Sequence, residues 1–207
     1  IGEYDSMRVK RSSNTVILAF FSIWIFSLTN TVLGEDATPK SNCEIIQEAL
    51  YSEFPAKQIL LLKKRKINLN QLCDYPWGGS FEAFPPLVYA VRTLEFPTIK
   101  ALVESGSDAN LADNLGVTPI MVARDLATVQ FLLKSKAKVN WQDSNGWTPL
   151  MWQTTSRETE AARIVEELIR AGAKLGIKNK EGKTAIELAN DQELKEILLR
   201  HQNNTAK

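Results

Sequence analysis

One histidine, two cysteines and no excess of either charge leave few chemistries open to this chain of 207 residues. The single His, His201, stands close to the last residue, so a Ser–His or Cys–His pair would have to use a near-terminal side chain. Two Cys and one His cannot supply the usual ligand set of a structural zinc site. Cys43 and Cys73 are spaced too widely for a C-x-x-C redox pair. No G-x-S-x-G, H-E-x-x-H or G-x-x-x-x-G-K-[ST] phrase occurs. Carboxylates are plentiful, but neighbours such as Glu158 and Glu160 are what chance places on a solvated loop. The chain therefore reads as a non-enzyme with no cofactor and no metal.

Charge excludes more. Lys plus Arg number 25 and Asp plus Glu 24. Three of those bases and two of those acids fall in the first 34 residues, so the remainder balances. A nucleic-acid binder needs a basic face to neutralise phosphates, so nucleic acid is not an expected partner. A local basic patch stays open.

Also missing is the run of about 20 apolar residues that a membrane-spanning helix requires. The longest candidate, Val16 to Leu28, is 13 residues interrupted by Ser22 and Ser27. It follows Arg8, Lys10 and Arg11, and precedes polar Thr29, Asn30 and Thr31, with Val32 and Gly34 before Glu35. Basic, apolar and small-residue regions in that order are the parts of a secretory signal peptide, here 7–34. The other reading is an uncleaved membrane anchor, if the run stretches through Leu33. Residues 1–6, ahead of Met7, read as a tag remnant or an upstream start. Export implies a periplasmic or secreted protein with no stable membrane anchor after cleavage. It also favours a Cys43–Cys73 disulfide over two buried thiols.

What the chain does contain is internal repetition, within a composition that is 44% hydrophobic and able to bury a core. Asp113-Asn114-Leu115-Gly116-Val117-Thr118-Pro119-Ile120 is echoed by Asp143-Ser144-Asn145-Gly146-Trp147-Thr148-Pro149-Leu150 and by Lys180-Glu181-Gly182-Lys183-Thr184-Ala185-Ile186. A weaker copy is Phe84-Pro85-Pro86-Leu87. From Pro86 to Pro119, Pro149 and Ala185 the steps are 33, 30 and 36 residues. A second phrase keeps phase with the first: Leu102 to Asn110, Leu132 to Asn140, Leu168 to Gly176.

These phrases resemble the ankyrin repeat, a 33-residue unit of a turn and two helices. The resemblance covers residues 81–201 and implies an all-α solenoid of helix-turn-helix pairs with β-turn tips, about four repeats including degenerate caps. Residues 35–80 read as capping helices, with an insertion at Leu72–Phe84, and 202–207 as a frayed tail. Gly116, Gly146 and Gly182 fall where a turn wants positive φ. Thr118 and Thr148 suit the N-cap, with Pro119 and Pro149 at the first helical position. Ile164, Val165, Leu168 and Ile169 make one apolar stripe, which only a stacked neighbour can bury.

The sequence departs from the family pattern in three ways. The short and long repeats lose and gain about one helical turn, around Arg124–Ala127 and Thr154–Ala162. The usual His after Thr-Pro-Leu is Met121 and Met151, which puts the rigidity of the turns in doubt. Lys136 replaces a Gly that favours the left-handed region.

The resemblance also implies that another protein binds, through the turn tips and the concave face of the first helices. Carried over by position, the partner-binding residues are Arg92, Asn114, Leu115, Val117, Asp125, Gln142, Ser144, Asn145, Trp147 and Trp152. Trp is the residue type that most often dominates an interface, yet Trp147 equally suits packing on the adjacent turn. The expected function is a monomeric exported binding module, on the bacterial pattern, that inhibits or gives immunity against an envelope enzyme or toxin. The alternatives are a secreted effector that engages a host protein, and an envelope scaffold.

Overall fold

A computed structural model describes residues 40–77 and 80–205. The signal-like segment 7–34, the extension 1–6, and residues 35–39, 206 and 207 lie outside them. From Asn42 onward the chain is a succession of helix pairs. First come α1 (Asn42–Tyr51) and α2 (Pro55–Lys64), then a hairpin of β1 (Cys73–Trp77) and β2 (Ser80–Phe84). Four further pairs follow: α3 (Pro86–Thr93) with α4 (Phe96–Glu104), α5 (Pro119–Val122) with α6 (Leu126–Lys134), α7 (Pro149–Thr154) with α8 (Ala161–Arg170), and α9 (Ala185–Leu188) with α10 (Gln192–Thr205). They are called repeats A to D.

Local chemistry starts the first helix of each repeat. Pro86, Pro119 and Pro149 stand at the start of α3, α5 and α7, where their missing N–H is no loss. Thr148 caps α7 by accepting a hydrogen bond from Met151 N at 3.3 Å. Thr118 occupies the equivalent position, but its hydroxyl makes no such bond. In α9 the Glu187 carboxylate does the work instead, accepting from Thr184 N and Oγ1 at 2.7 and 2.8 Å. Those two bonds hold the Glu187 carboxyl below its ordinary pKa.

The apolar stripes meet between neighbours. Ile99 and Leu102, Val129 and Leu132, Ile164, Val165 and Leu168, and Leu194, Ile197 and Leu198 are all buried. Each such side chain contributes roughly 1.5–3 kcal/mol on burial. Successive second helices pack on one another along the array, as do successive first helices, so one continuous core runs through it.

Residues 72–84, read from sequence as a plain insertion, carry the antiparallel hairpin, with Cys73 opposite Phe84 and Trp77 opposite Ser80. Cys43 of α1 and Cys73 of β1 form the disulfide, their Cα atoms 5.4 Å apart. An aromatic seam completes the junction. Tyr75 of β1 stacks on Tyr89 of α3 at 4.0 Å, and Tyr51 of α1 meets Tyr89 edge-on at 6.0 Å. Burial pushes the Tyr51 and Tyr75 phenols far above their usual pKa.

The unequal repeats fit each other. Helix α5 has four residues against eight in α3, so the loss falls just ahead of Arg124, and Ala123 is already extended (ψ 132°). Carbonyls released by that early end find a donor in repeat C: Gln153 Nε2, buried, donates to Ala123 O at 2.9 Å and to Met121 O at 3.4 Å. The gain in repeat C is the connection between α7 and α8. Its Glu160 reaches back so that Leu126 N donates to Oε2 at 2.7 Å, capping α6 from the next repeat. Glu158 pairs with Arg124 at 3.4 Å on the same crossing.

Candidate interaction surface

Each turn is tied by one side chain at its base. Asp113 Oδ1 accepts from Leu115 N and Val117 N, both at 2.9 Å. Asp143 Oδ1 accepts from Asn145 N and Trp147 N at 2.8 and 2.9 Å. Asn179 Oδ1 does the same for Glu181 N and Lys183 N at 3.0 and 2.9 Å. The bonds expected from the missing histidines are thus replaced from the other end of the turn, and Met121 and Met151 are buried core. All three carboxyl or amide groups are buried, where an acceptor holding two backbone donors is well used.

Turns are also tied to one another. Ser144 N donates to Leu115 O at 2.8 Å, and Lys180 N donates to Asn145 O at 2.9 Å. Trp141 Nε1 donates back to Gly116 O at 3.1 Å. This contact is why glycine is needed twice over. Gly116 and Gly146 have φ of 78° and 77°, and an added Cβ would come within 3.1 Å of Asp143 Cα and 3.0 Å of Lys180 N respectively.

Behind the tips runs a ladder of asparagines. Asn70 Nδ2 donates to Gly106 O at 2.9 Å while its Oδ1 accepts from Asp108 N at 2.7 Å. Asn110 spans Lys136 O and Lys138 N at 3.1 and 2.7 Å. Asn140 spans Gly172 O and Lys174 N at 3.0 and 2.8 Å. Asn recurring at one phase of the repeat was the available signal for this role, which the sequence reading passed over.

The expected binding residues divide by exposure. Leu115 is 51% exposed at its tip, and Asn114, Ser144 and Asn145 are exposed beside it. Gln142 is exposed, with Nε2 bonded to Gly146 O and Lys178 O at 2.7 and 3.1 Å. Asp125 is exposed and caps α6 by accepting from Thr128 N at 2.7 Å. Trp152 is half-buried, its Nε1 donating to Asp143 Oδ2 at 2.9 Å. Three others turn inward. Val117 and Trp147 are 3% and 6% exposed, and Trp147 lies edge-on to Trp152 at 6.4 Å. The Arg92 side chain is 4% exposed, facing Asp113 at 3.8 Å and lying 4.7 Å over the Phe84 ring. These three shape the turns from beneath and present no side-chain surface of their own.

Among the described residues no three metal-ligating side chains gather, and no helix is long and apolar enough to cross a membrane. The surface is made of short polar tips around one exposed Leu.

Residues 124–207 match the family described as Ankyrin repeats (3 copies). Repeat A and the first helix of B, upstream of that match, show the same helix pairing and Pro start. The chain is 33% identical over 122 residues to Neurogenic locus notch homolog protein 1 of Xenopus laevis, covering 56% of this chain and 5% of that protein. It is 35% identical over 104 residues to the protein of that name from Xenopus tropicalis, covering 48% and 4%. It is 33% identical over 109 residues to Ankyrin repeat and SAM domain-containing protein 6 of Rattus norvegicus, covering 50% and 12%. The chain therefore spans only a small part of the length of each of these relatives. Residues 124–207 are thus recognised as ankyrin repeats, an architecture that serves as a protein-binding module, and the helix pairs upstream of them continue the same all-α solenoid fold.

Proposed function

We propose that this chain is an exported binding module that occludes an envelope enzyme or toxin through its row of turn tips. The observation that carries the reading is the bonded row itself. Leu115 with Asn114, then Ser144 and Asn145, stand exposed on turns that are tied internally and to each other. A row fixed in advance loses little entropy when a partner docks, which favours affinity. Trp152 adds a half-buried aromatic surface beside it. Export is supported by the signal-like order of residues 7–34 and by the Cys43–Cys73 disulfide, a bond that persists in oxidising compartments.

The test is capture of partners from envelope extract of the producing cell, repeated with a Leu115→Ala plus Trp152→Ala variant. Trp147 is left intact because its buried ring supports the turn. One stoichiometric exported enzyme or toxin, inhibited on binding and lost with the variant, is the expected result. A partner that stays fully active when bound would replace inhibition with scaffolding. A partner found only outside the producing cell would replace both with an effector role.

A further inference from the structure

The edge of the solenoid formed by the long loops after α6 and α8 is strongly basic. Lys134 at the end of α6 is exposed with Lys136 and Lys138 on the loop after it, as is Arg170 at the end of α8 with Lys174, Lys178 and Lys180 on the next loop. The two loops lie side by side. Asn140 bonds Gly172 O and Lys174 N, Gln142 bonds Lys178 O, and Asn145 O receives Lys180 N. A shallow hollow between α6 and α8, lined by Leu133, Lys134, Glu167 and Arg170, continues the same strip.

Helix chemistry explains only part of this. Lys134 and Arg170 sit in last helical turns, where a cation complements the helix dipole. Lys136, Lys138, Lys174, Lys178 and Lys180 lie beyond the helix ends and gain nothing from it. Arg170 is held by Glu166 and Glu167. Among the described residues, those five lysines make no ion pair. The strip is bounded on the side of repeat A, whose corresponding loop carries Glu104 and Asp108. In a chain balanced as a whole, the strip is a local surplus of positive charge, its acidic residues being Glu166 and Glu167 beside Arg170 and exposed Glu181 beside Lys180.

We propose that this edge docks an acidic segment of a partner protein, one in which several Asp or Glu side chains recur. It is a second contact surface, distinct from the turn tips, and does not depend on what they hold. Lysine ammonium groups act as flexible point charges with rotatable donors, which adapt to carboxylates spaced unevenly along a segment. Stacking of single-stranded bases needs free aromatic faces. Neither aromatic ring on the loops offers a free face: Trp147 is buried, and Trp141 is half-buried, has its N–H bonded to Gly116 O, and carries Lys138 Nζ 4.9 Å over its face. A membrane surface would be met by apolar side chains reaching below the headgroups. The large exposed apolar residues, such as Phe54, Leu60, Leu115 and Leu199, all lie elsewhere.

The experiment is fluorescence anisotropy on the full chain with a labelled oligo-glutamate peptide, at low and at physiological salt. Oligo-dT and phosphatidylglycerol vesicles serve as competing probes. A Lys136→Glu, Lys138→Glu, Lys174→Glu variant is compared with the tip variant Leu115→Ala, Trp152→Ala, both checked for unchanged circular dichroism. The expected result is salt-sensitive peptide binding, weakened roughly tenfold or more by the lysine changes and unaltered by the tip changes. No binding, or binding indifferent to the three lysines, overturns the proposal. So does stronger binding to oligo-dT or to vesicles than to the peptide. Because the tip variant separates the two surfaces, failure here leaves the reading of the tips standing, and the reverse holds.

Discussion

Gly106 and Gly146 share positive φ but not surroundings, which makes them a matched pair. A Cβ at Gly106 meets nothing within 4 Å, whereas at Gly146 it meets the backbone of the next turn. Gly106→Ala should cost about 1 kcal/mol from the left-handed backbone alone. Gly146→Ala should cost visibly more in urea denaturation, because backbone cannot give way as a flexible side chain does. Equal costs would remove tip-to-tip packing as the reason for glycine there. Lys136 presents the converse, at φ 66°. Lys136→Gly is expected to stabilise the chain by roughly 1 kcal/mol, read from the same denaturation curves. Glu187 gives a pH signature. Its folded pKa is lowered, so the stability it lends is present above the ordinary Glu range and fades as pH falls through the lower folded value. An NMR titration of its side-chain carbon should show a midpoint below that of ordinary exposed Glu, moving back toward normal in Thr184→Val, which removes the hydroxyl donor.

Among the elements, repeated turns and helix pairs could be read directly from residues because each has a chemical reason to recur. Gly116 and Gly146 sit at positive φ, and Pro119 and Pro149 open helices, as their chemistry requires. The hairpin was harder to see. Pro76 argues against a strand, and the run 73–77 is too short for a clear alternation, although Gly78-Gly79 between two such runs was a turn signal. Exposure of the candidate binding residues was also out of reach. Trp147 and Trp152 are the same residue type five positions apart, and only the packing of one turn on its helix decides that the first is buried and the second half-open. The asparagine ladder lends itself to measurement. Asn110→Ala removes two inter-repeat hydrogen bonds at a half-exposed site and should cost about 1–2 kcal/mol. A cost near zero would show that water replaces both.

At the scale of the molecule, a solenoid is nearly one-dimensional, so a local loss spreads only through its neighbours. The disulfide closes a sequence separation of 30 residues at one end of the array. By chain entropy, reduction should cost about 3–4 kcal/mol. That loss should concentrate on α1, α2 and the hairpin. Hydrogen exchange on the reduced chain is expected to rise there first, with repeats C and D little changed. Uniform loss of protection would mean that the array unfolds as one unit. Charge balance, which argued against a nucleic-acid partner, holds for the whole chain but not for its edges. That difference arises from folding, since Lys138 and Lys174 become neighbours only through Asn140.

The fit between the short and the long repeat has a consequence for heredity. Gln153 and Glu160 of repeat C serve backbone atoms of repeat B, and the 30- and 36-residue steps together restore two regular periods. Such a pair cannot be shuffled singly. A gene duplication that copied repeat C alone would carry a glutamate with no helix start to cap. One that copied B alone would carry carbonyls with no amide to receive. The unit that can be inserted, deleted or grafted into another array is therefore the couple, and a designer who wishes to lengthen this protein should splice it in twos.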